Sequence, residues 1–295
     1  MKLIEAKIMK KYIPLLSILL CSSTLLITGC DNKKTSDTTT SNSTVSSNPD
    51  SNPSTKPSPE LSIPVINSYL FHTEPELLPF SKAIKQQHIQ SASSDKLINY
   101  NEQGFVANYN LDGLQAEINY DTAKYIYGMK DTRSEYAITF DANKNILGMK
   151  NDQDDIVAIS EFDEQGHLIE TTLSHFAENN VIFKNQIIYD QDRVELVLYN
   201  AYVPIDEKTK FPILSQEKDV VYNANKQLEK TVTKTFKLTS DGKIIINDKN
   251  EQEVELTETC NYSDYNENND WTKAICVTTG EESKTVNLTR TIQYE

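Results

Sequence analysis

The sequence predicts an all-β fold: an antiparallel meander of repeated β-hairpins forming an elongated twisted sheet, placed after a signal peptide and a disordered linker. Three observations predict it. A short motif of an aromatic, Asp or Asn, a polar stretch and a return to apolar residues recurs along the chain. Apolar and polar residues alternate between the copies. The first sixty residues have a different composition and carry none of this pattern.

The copies of the motif are "INYNEQGFV" (98–106), "EINYDTAKYI" (117–126), "ITFDANKNIL" (138–147), "SEFDEQGHLI" (160–169), "IIYDQDRVEL" (187–196), "VVYNANKQLE" (220–229) and "SDYNENNDWT" (263–272). Their aromatics are Tyr100, Tyr120, Phe140, Phe162, Tyr189, Tyr222 and Tyr265, the first four spaced 20, 20 and 22 residues apart. An aromatic at a strand end covers a cross-strand neighbour, and the Asp or Asn after it folds back onto the turn backbone. Gly104, Gly166 and Asn269 stand where a three-residue loop needs a left-handed residue, and Asp241-Gly242 suits a tight type I′ turn. Lys124, Lys144, Arg193 and Lys226 occupy the left-handed position elsewhere and suit it less well.

Period-two alternation supports the strands. Val254, Leu256, Cys260 and Tyr262 share one face, and Val232, Phe236 and Leu238 another. Leu288, Ile292 and Tyr294 repeat the pattern near the end of the chain. A single helix is expected over Ser81 to Gln90, with Ser81 as its cap. Only 38% of the residues are apolar, which favours an extended sheet with a thin core.

The chain begins with Lys2, Lys7, Lys10 and Lys11, then runs uncharged from Tyr12 to Ile27. Sixteen uncharged residues are too few for a transmembrane helix, which needs about 20, and they fit a secretory signal. Ile27-Thr28-Gly29-Cys30 closes the run. This resembles the lipobox of bacterial lipoprotein precursors. The resemblance implies cleavage between Gly29 and Cys30, lipidation of the Cys30 thiol, and anchoring by acyl chains that each contribute ~0.8 kcal/mol per buried CH₂. Asp31 follows the cysteine. By resemblance to enterobacterial lipoproteins, an acidic residue there favours the outer face of the inner membrane over the outer membrane. Residues 31 to 60 hold eight Ser, six Thr, four Pro and four Asn, with Val45 as the single large apolar residue. Such a stretch cannot offset the entropy of ordering and is expected to act as a tether. The expected organisation is therefore 1–29 signal peptide, 30–60 lipidated cysteine and linker, 61–94 an N-terminal segment holding the short helix, and 95–295 the hairpin repeats.

The aromatic–Asp–x–x–Gly hairpin at a period near twenty resembles the YD repeat of bacterial Rhs proteins. The ending "DYNENNDWTKAI…LTRTIQY" looks like the last hairpins of YD-like bacterial lipoproteins, with Asn269-Asp270 where those carry Gly-Asn. The chain lacks the dense glycines and arginines of Rhs repeats and is too short for their closed cage. The resemblance thus implies hairpin architecture and not toxin delivery.

Chemistry is sparse in the sequence. Outside the signal there are seven glycines, Gly104 and Gly113 being the nearest pair, so no phosphate-cradling loop and no nucleophile elbow occurs. His72, His88, His167 and His175 form no H-E-x-x-H; His167 and His175 could meet across a hairpin but read as solvated strand positions. Asp141, Asn143, Asn145 and Asp152 match part of a calcium loop, yet Ile146 stands where its sharp turn needs glycine. Those residues and the acidic run Asp152, Asp154 and Asp155 read as hairpin turns. No catalytic residue, metal ligand or cofactor is assigned.

The net charge is −14, and removing a leader with four lysines and one glutamate leaves about −17, which argues against nucleic acid. Cys260 and Cys276 are the cysteines left after the signal and the lipidated residue. Symmetric pairing about Asn268 sets Tyr265 against Trp271, Tyr262 against Ala274 and Cys260 against Cys276, so a disulfide is expected in an oxidising compartment. The expected function is a non-enzymatic, membrane-anchored envelope lipoprotein that presents a β surface to a protein or glycan. The alternatives are an envelope hydrolase with a site of scattered acids, or an immunity or assembly factor for one cognate protein.

Overall fold

The computed structural model describes residues 65–80, 84–141, 145–174, 180–206, 208–280 and 283–295. The signal peptide, Gly29, Cys30, Asp31 and the linker lie outside the described residues. The chain forms β1 (Ile84–Gln90), β2 (Asp95–Tyr100), β3 (Val106–Leu111), β4 (Leu114–Asn119), β5 (Lys124–Met129), β6 (Thr132–Phe140), β7 (Ile146–Lys150) and β8 (Ile156–Phe162). It continues as β9 (Leu168–Ser174), β10 (Ile182–Asp190), β11 (Arg193–Pro204), β12 (Lys210–Tyr222), β13 (Leu228–Phe236), β14 (Val254–Tyr265), β15 (Trp271–Thr279) and β16 (Lys284–Tyr294). Each strand pairs antiparallel with the next, and β1 also pairs antiparallel with β16, with Gln87 opposite Ile292 and Ile89 opposite Arg290. The meander of hairpins is present, but the sheet is a closed sixteen-strand barrel and not an elongated open sheet.

Closure follows from the faces. Ile98, Val106, Ala116, Ile118, Tyr125, Tyr136, Val157, Val197, Cys260 and Ala274 are buried at alternating positions of their strands. Asn108, Glu117, Lys124, Glu135, Gln186, Glu195, Lys273, Asn287, Thr291 and Gln293 point the other way and are exposed. Curling the sheet until its edges meet buries every apolar face and leaves no free edge.

A barrel of sixteen strands is too wide for its own side chains to fill. The segment before β1 fills it. Helix α1 (Val65–Leu70) and a 3₁₀ turn (Pro75–Leu77) dip into the lumen, with Asn67, Tyr69, Phe71 and Leu77 almost fully buried. The segment bonds to strands on several sides of the ring. Asn67 Nδ2 donates to Gly104 O at 2.8 Å and its Oδ1 accepts from Val106 N at 2.9 Å. Lys96 of β2 donates to Glu74 at 2.6 Å; Lys218 of β12 donates to Glu76 at 2.8 Å and to Thr73 O at 2.9 Å. Gln87 of β1 donates to Leu77 O at 2.7 Å, and Trp271 of β15 donates its indole N–H to Glu76 O at 3.1 Å. Burial alone would raise the Glu74 carboxyl; the Lys96 and Lys218 cations hold it below the ordinary carboxylate range.

The helix expected over Ser81 to Gln90 is strand β1 across Ile84–Gln90, because those residues form the seam with β16 and β2. The turn chemistry follows one pattern. In "NEQGF", Asn101 Oδ1 accepts from Gln103 N at 3.0 Å and Phe105 N at 2.9 Å, and Gly104 is left-handed at φ 76°. The same loop recurs with Gly166 (87°), Lys226 (64°) and Asn269 (65°) in the left-handed place. Thr239 to Lys243 adopts it too, with Gly242 at φ 80°, in place of the expected type I′ turn. Ahead of Lys124 and Arg193 the left-handed residues are Ala123 and Gln191, so those two basic residues begin strands. The C-terminal hairpin has the expected register: Tyr265 faces Trp271, Tyr262 faces Ala274 and Cys260 faces Cys276, and the two cysteines form a disulfide on the inner face.

The two hydrogen bonds of Asn67 predict a sharp contrast between variants. Asn67→Ala strands a carbonyl and an N–H inside the lumen and is expected to lower stability by about 2–4 kcal/mol. Asn99→Ala removes bonds with Gln86 and Asn108 on the outer wall, where water can replace them, and is expected to cost under about 0.5 kcal/mol. Urea unfolding of both variants measures the difference; equal effects would contradict the placement of the segment in the lumen.

Candidate functional site

In a closed meander, alternate connections share one end of the barrel. The loops β8–β9, β10–β11, β12–β13 and β14–β15 therefore gather on one rim, where the lumen segment also emerges at Leu78 to Phe80. Phe80 N donates to Asp270 Oδ1 at 2.6 Å and ties that exit to the β14–β15 loop. Between exit and loops lies a cavity of about 370 Å³, within the range of small-molecule sites.

Its walls combine rings and cations. The Arg193 guanidinium, from the start of β11, lies over the Tyr222 ring at 4.9 Å and near the Phe80 ring at 5.9 Å. One of its nitrogens donates to Lys226 O, while Nη2 has no hydrogen-bond partner among the described residues. Burial lowers its pKa from the usual arginine value, since desolvation disfavours the charged form. His167 stacks on Tyr189 at 4.6 Å between Asp163 (2.9 Å) and Asp192 (3.4 Å).

Deeper in, Arg290 of β16 is fully buried. It lies over the Trp271 ring at 4.8 Å and donates Nε–H to Gln87 Oε1 at 2.8 Å. Its Nη1 is 3.8 Å from Asp270 Oδ1, too far for a hydrogen bond, and neither Nη1 nor Nη2 has a partner among the described residues. Asp270 is already engaged, by Phe80 N and by the Tyr294 hydroxyl at 2.8 Å.

Of the residues weighed in the sequence as ligands or catalytic groups only His167 lines this cavity, whereas the motif and turn residues Gly166, Tyr189, Arg193, Tyr222, Lys226 and Asn269 do converge on it. Cys260 and Cys276 line the inner wall of β14 and β15. His175 lies outside the described residues, as does Asn143. Asp141 accepts from Asn145, Asp154 pairs with Lys150 and Asp155 with Asn151, as turn residues do. Among the described residues no group of three His, Cys, Asp or Glu side chains is arranged to hold a metal ion.

Arg193 and Arg290 were missed, though a signal existed. The chain has three arginines, Arg133, Arg193 and Arg290, and two of them meet in one cavity. Arg290 also sits between Leu288 and Ile292, on the apolar side of its strand's alternation. A cation at an inward position needs a reason, because its burial is costly.

No known family matches the chain, and no curated protein does. Among solved structures it is similar to the TcdB2-TccC3 complex without its hypervariable C-terminal region: 15% identity, TM-score 0.34, covering 65% of this chain and 9% of that one. It is similar to the Photorhabdus luminescens Tc holotoxin pore at 14% identity and TM-score 0.33, with the same coverage of 65% and 9%. It is also similar to a porin-like protein from Bacteroides uniformis at 9% identity and TM-score 0.33, covering 71% of this chain and 98% of that one. The chain spans about a tenth of the length of the toxin chains.

His72, in the lumen segment, gives the fold an acid-side dependence. Its Nδ1–H donates to Tyr69 O at 2.6 Å, and Nε2 meets Asn185 Nδ2 at 2.7 Å and Thr171 Oγ1 at 3.1 Å. Burial lowers its pKa below the ordinary 6.5, against smaller raising effects of Tyr69 O and Glu74. The unfolded chain therefore takes up this proton before the folded one, and stability falls as pH drops below about 6.5. Urea midpoints between about pH 7 and pH 5 are expected to decline in the natural chain and to flatten in His72→Gln. The same slope in both would contradict a buried neutral His72.

Proposed function

We propose that this chain is a membrane-anchored envelope lipoprotein whose barrel is a non-enzymatic scaffold, presenting its rim cavity to a glycan or protein of the envelope. The observation that carries the reading is the polarity of the wall. A membrane-spanning barrel turns an apolar band to lipid and keeps polar residues inside. Here the outer wall carries Glu117, Lys124, Glu135, Glu195 and Lys273, and single apolar residues such as Ile159, Ile188 and Ile275 sit among polar ones. The inner face is largely apolar and packed around the lumen segment, with polar residues such as Gln87, Asn185 and Lys218 bonded to that segment. A barrel built this way belongs in water. The motif ending at Cys30, followed by a polar tether of about thirty residues, supplies the means of holding it at a membrane. Asp31 favours the outer face of the inner membrane, with the outer membrane as the alternative. The rim suits the recognition role, with rings and unsatisfied cations at the end where the chain's turns converge. A hydrolase of scattered acids and an immunity or assembly factor remain the competing readings; a cognate-protein partner would make the rim a protein interface.

Two measurements together test the proposal. Cys30→Ser is expected to abolish processing and to leave the detergent phase on Triton X-114 partition of cells. A photocrosslinking residue at Gln165, exposed on the rim, is expected to capture a discrete envelope product that the same residue at Glu117, on the outer wall, does not. Normal detergent partition of Cys30→Ser would overturn the anchor, and equal capture at both positions would overturn the rim.

A further inference from the structure

We propose that the rim cavity binds a small ring-borne monocarboxylate, with Arg193 as the partner of its carboxylate. The inference deepens the recognition role proposed above and rests on that reading of the rim.

Charge is the first argument. The protein is strongly acidic, yet this cavity collects two of its three arginines together with Lys226, against Asp192 and Asp270. Hydrogen bonding is the second. Arg193 Nη2 and both terminal nitrogens of Arg290 lack acceptors among the described residues. Buried donors are ordinarily satisfied, and guanidinium N–H groups left over rings mark a place built for an acceptor that the chain does not itself provide. Asp270 does not supply it to Arg290, because its Oδ1 lies 3.8 Å from Nη1, beyond hydrogen-bond reach.

The third argument is preorganisation. Arg193 is held between Phe80 and Tyr222 and pinned through Lys226 O, so its fork is fixed before any ligand arrives. Arg290 lines the deeper part of the cavity, 3.8 Å from Asp270, and reinforces the positive field there.

The choice of ligand follows from the same residues. A planar guanidinium matches a carboxylate bidentately. Three cations against Asp192 and Asp270 leave a single net positive charge, which a monoanion neutralises while a dianion's second charge goes uncompensated, and this disfavours phosphate. The apolar part of the wall, Leu78, Tyr189 and Leu228 among it, offers flat surface to the body that carries the acid. About 370 Å³ accommodates one ring and its substituents. That body is either a sugar, as in a uronate, or an aromatic ring, and the two are separable by experiment.

Trp271, the chain's single tryptophan, lines the cavity beneath Arg290, so its fluorescence reports occupancy directly. The full-length protein is titrated with glucuronate, benzoate, glucose, benzamide and inorganic phosphate. A saturable change with glucuronate, benzoate or both is expected, at least ~10-fold tighter than with the matching neutral compound or with phosphate. Response to glucuronate alone assigns the sugar acid, and response to benzoate alone assigns the aromatic acid. Arg193→Gln is expected to weaken the response ~10- to 100-fold, with an unchanged circular dichroism spectrum. If that variant does not fold, the comparison of charged with neutral compounds on the natural protein decides alone. Binding of the neutral compounds or phosphate as tightly as the acids, undiminished binding by a folded Arg193→Gln, or no saturable response to either acid would overturn the proposal. The last result would leave the crosslinking test of the rim standing on its own.

Discussion

The architecture depends on one constraint: a sixteen-strand barrel with a largely apolar inner face must be filled from inside, and the chain fills it with its own residues 65 to 80. The filling is polar as well as apolar. Asn67 completes the backbone hydrogen bonding at the β2–β3 loop, His72 bridges to β9 and β10, and Lys96 and Lys218 hold Glu74 and Glu76 from separate strands. Each contact involves a group that would be costly to bury alone. The lumen segment and the wall therefore specify each other, and the β1–β16 seam closes around a core it does not have to supply.

The same arrangement creates the rim. Because the segment leaves the lumen beside the loop that carries Asp270, the exit residues and four hairpin loops converge on one cavity. Function and fold share parts here. Gln87 binds Leu77 O of the segment, the Tyr100 hydroxyl and Arg290, so one buried amide joins the plug, the seam and the cation beneath the cavity. A lipid anchor at Cys30 would hold such a water-facing barrel at a membrane while leaving its wall and rim free.

Much of the fold was legible because hairpins are local. Alternation and turn chemistry placed Gly104, Gly166 and Asn269 as left-handed residues, and symmetric pairing about Asn268 gave the register that joins Cys260 to Cys276. Closure was not legible, because Ile84 pairs with Tyr294 across some two hundred residues and no local pattern encodes that. The sequence of strand β1 reads as a helix for a related reason. Its inward Gln87 is polar, since it serves the segment and Arg290, and so the apolar alternation of "IKQQHIQ" is broken. Thr171, Asn185 and Lys218 are likewise polar residues at positions that serve the lumen segment. The rim cavity was hidden because its residues come from distant loops, although the scarcity of arginine and the inward place of Arg290 were visible.

The central claim is that residues 65 to 80 form part of the barrel's core. Hydrogen–deuterium exchange of the full-length protein, read by peptide, tests it most directly. The account predicts that the amides of Asn67 to Leu78 exchange as slowly as those of the wall strands β14 to β16 and lose protection with them as denaturant rises. Rapid exchange of that segment, while β14 to β16 stay protected, would contradict it.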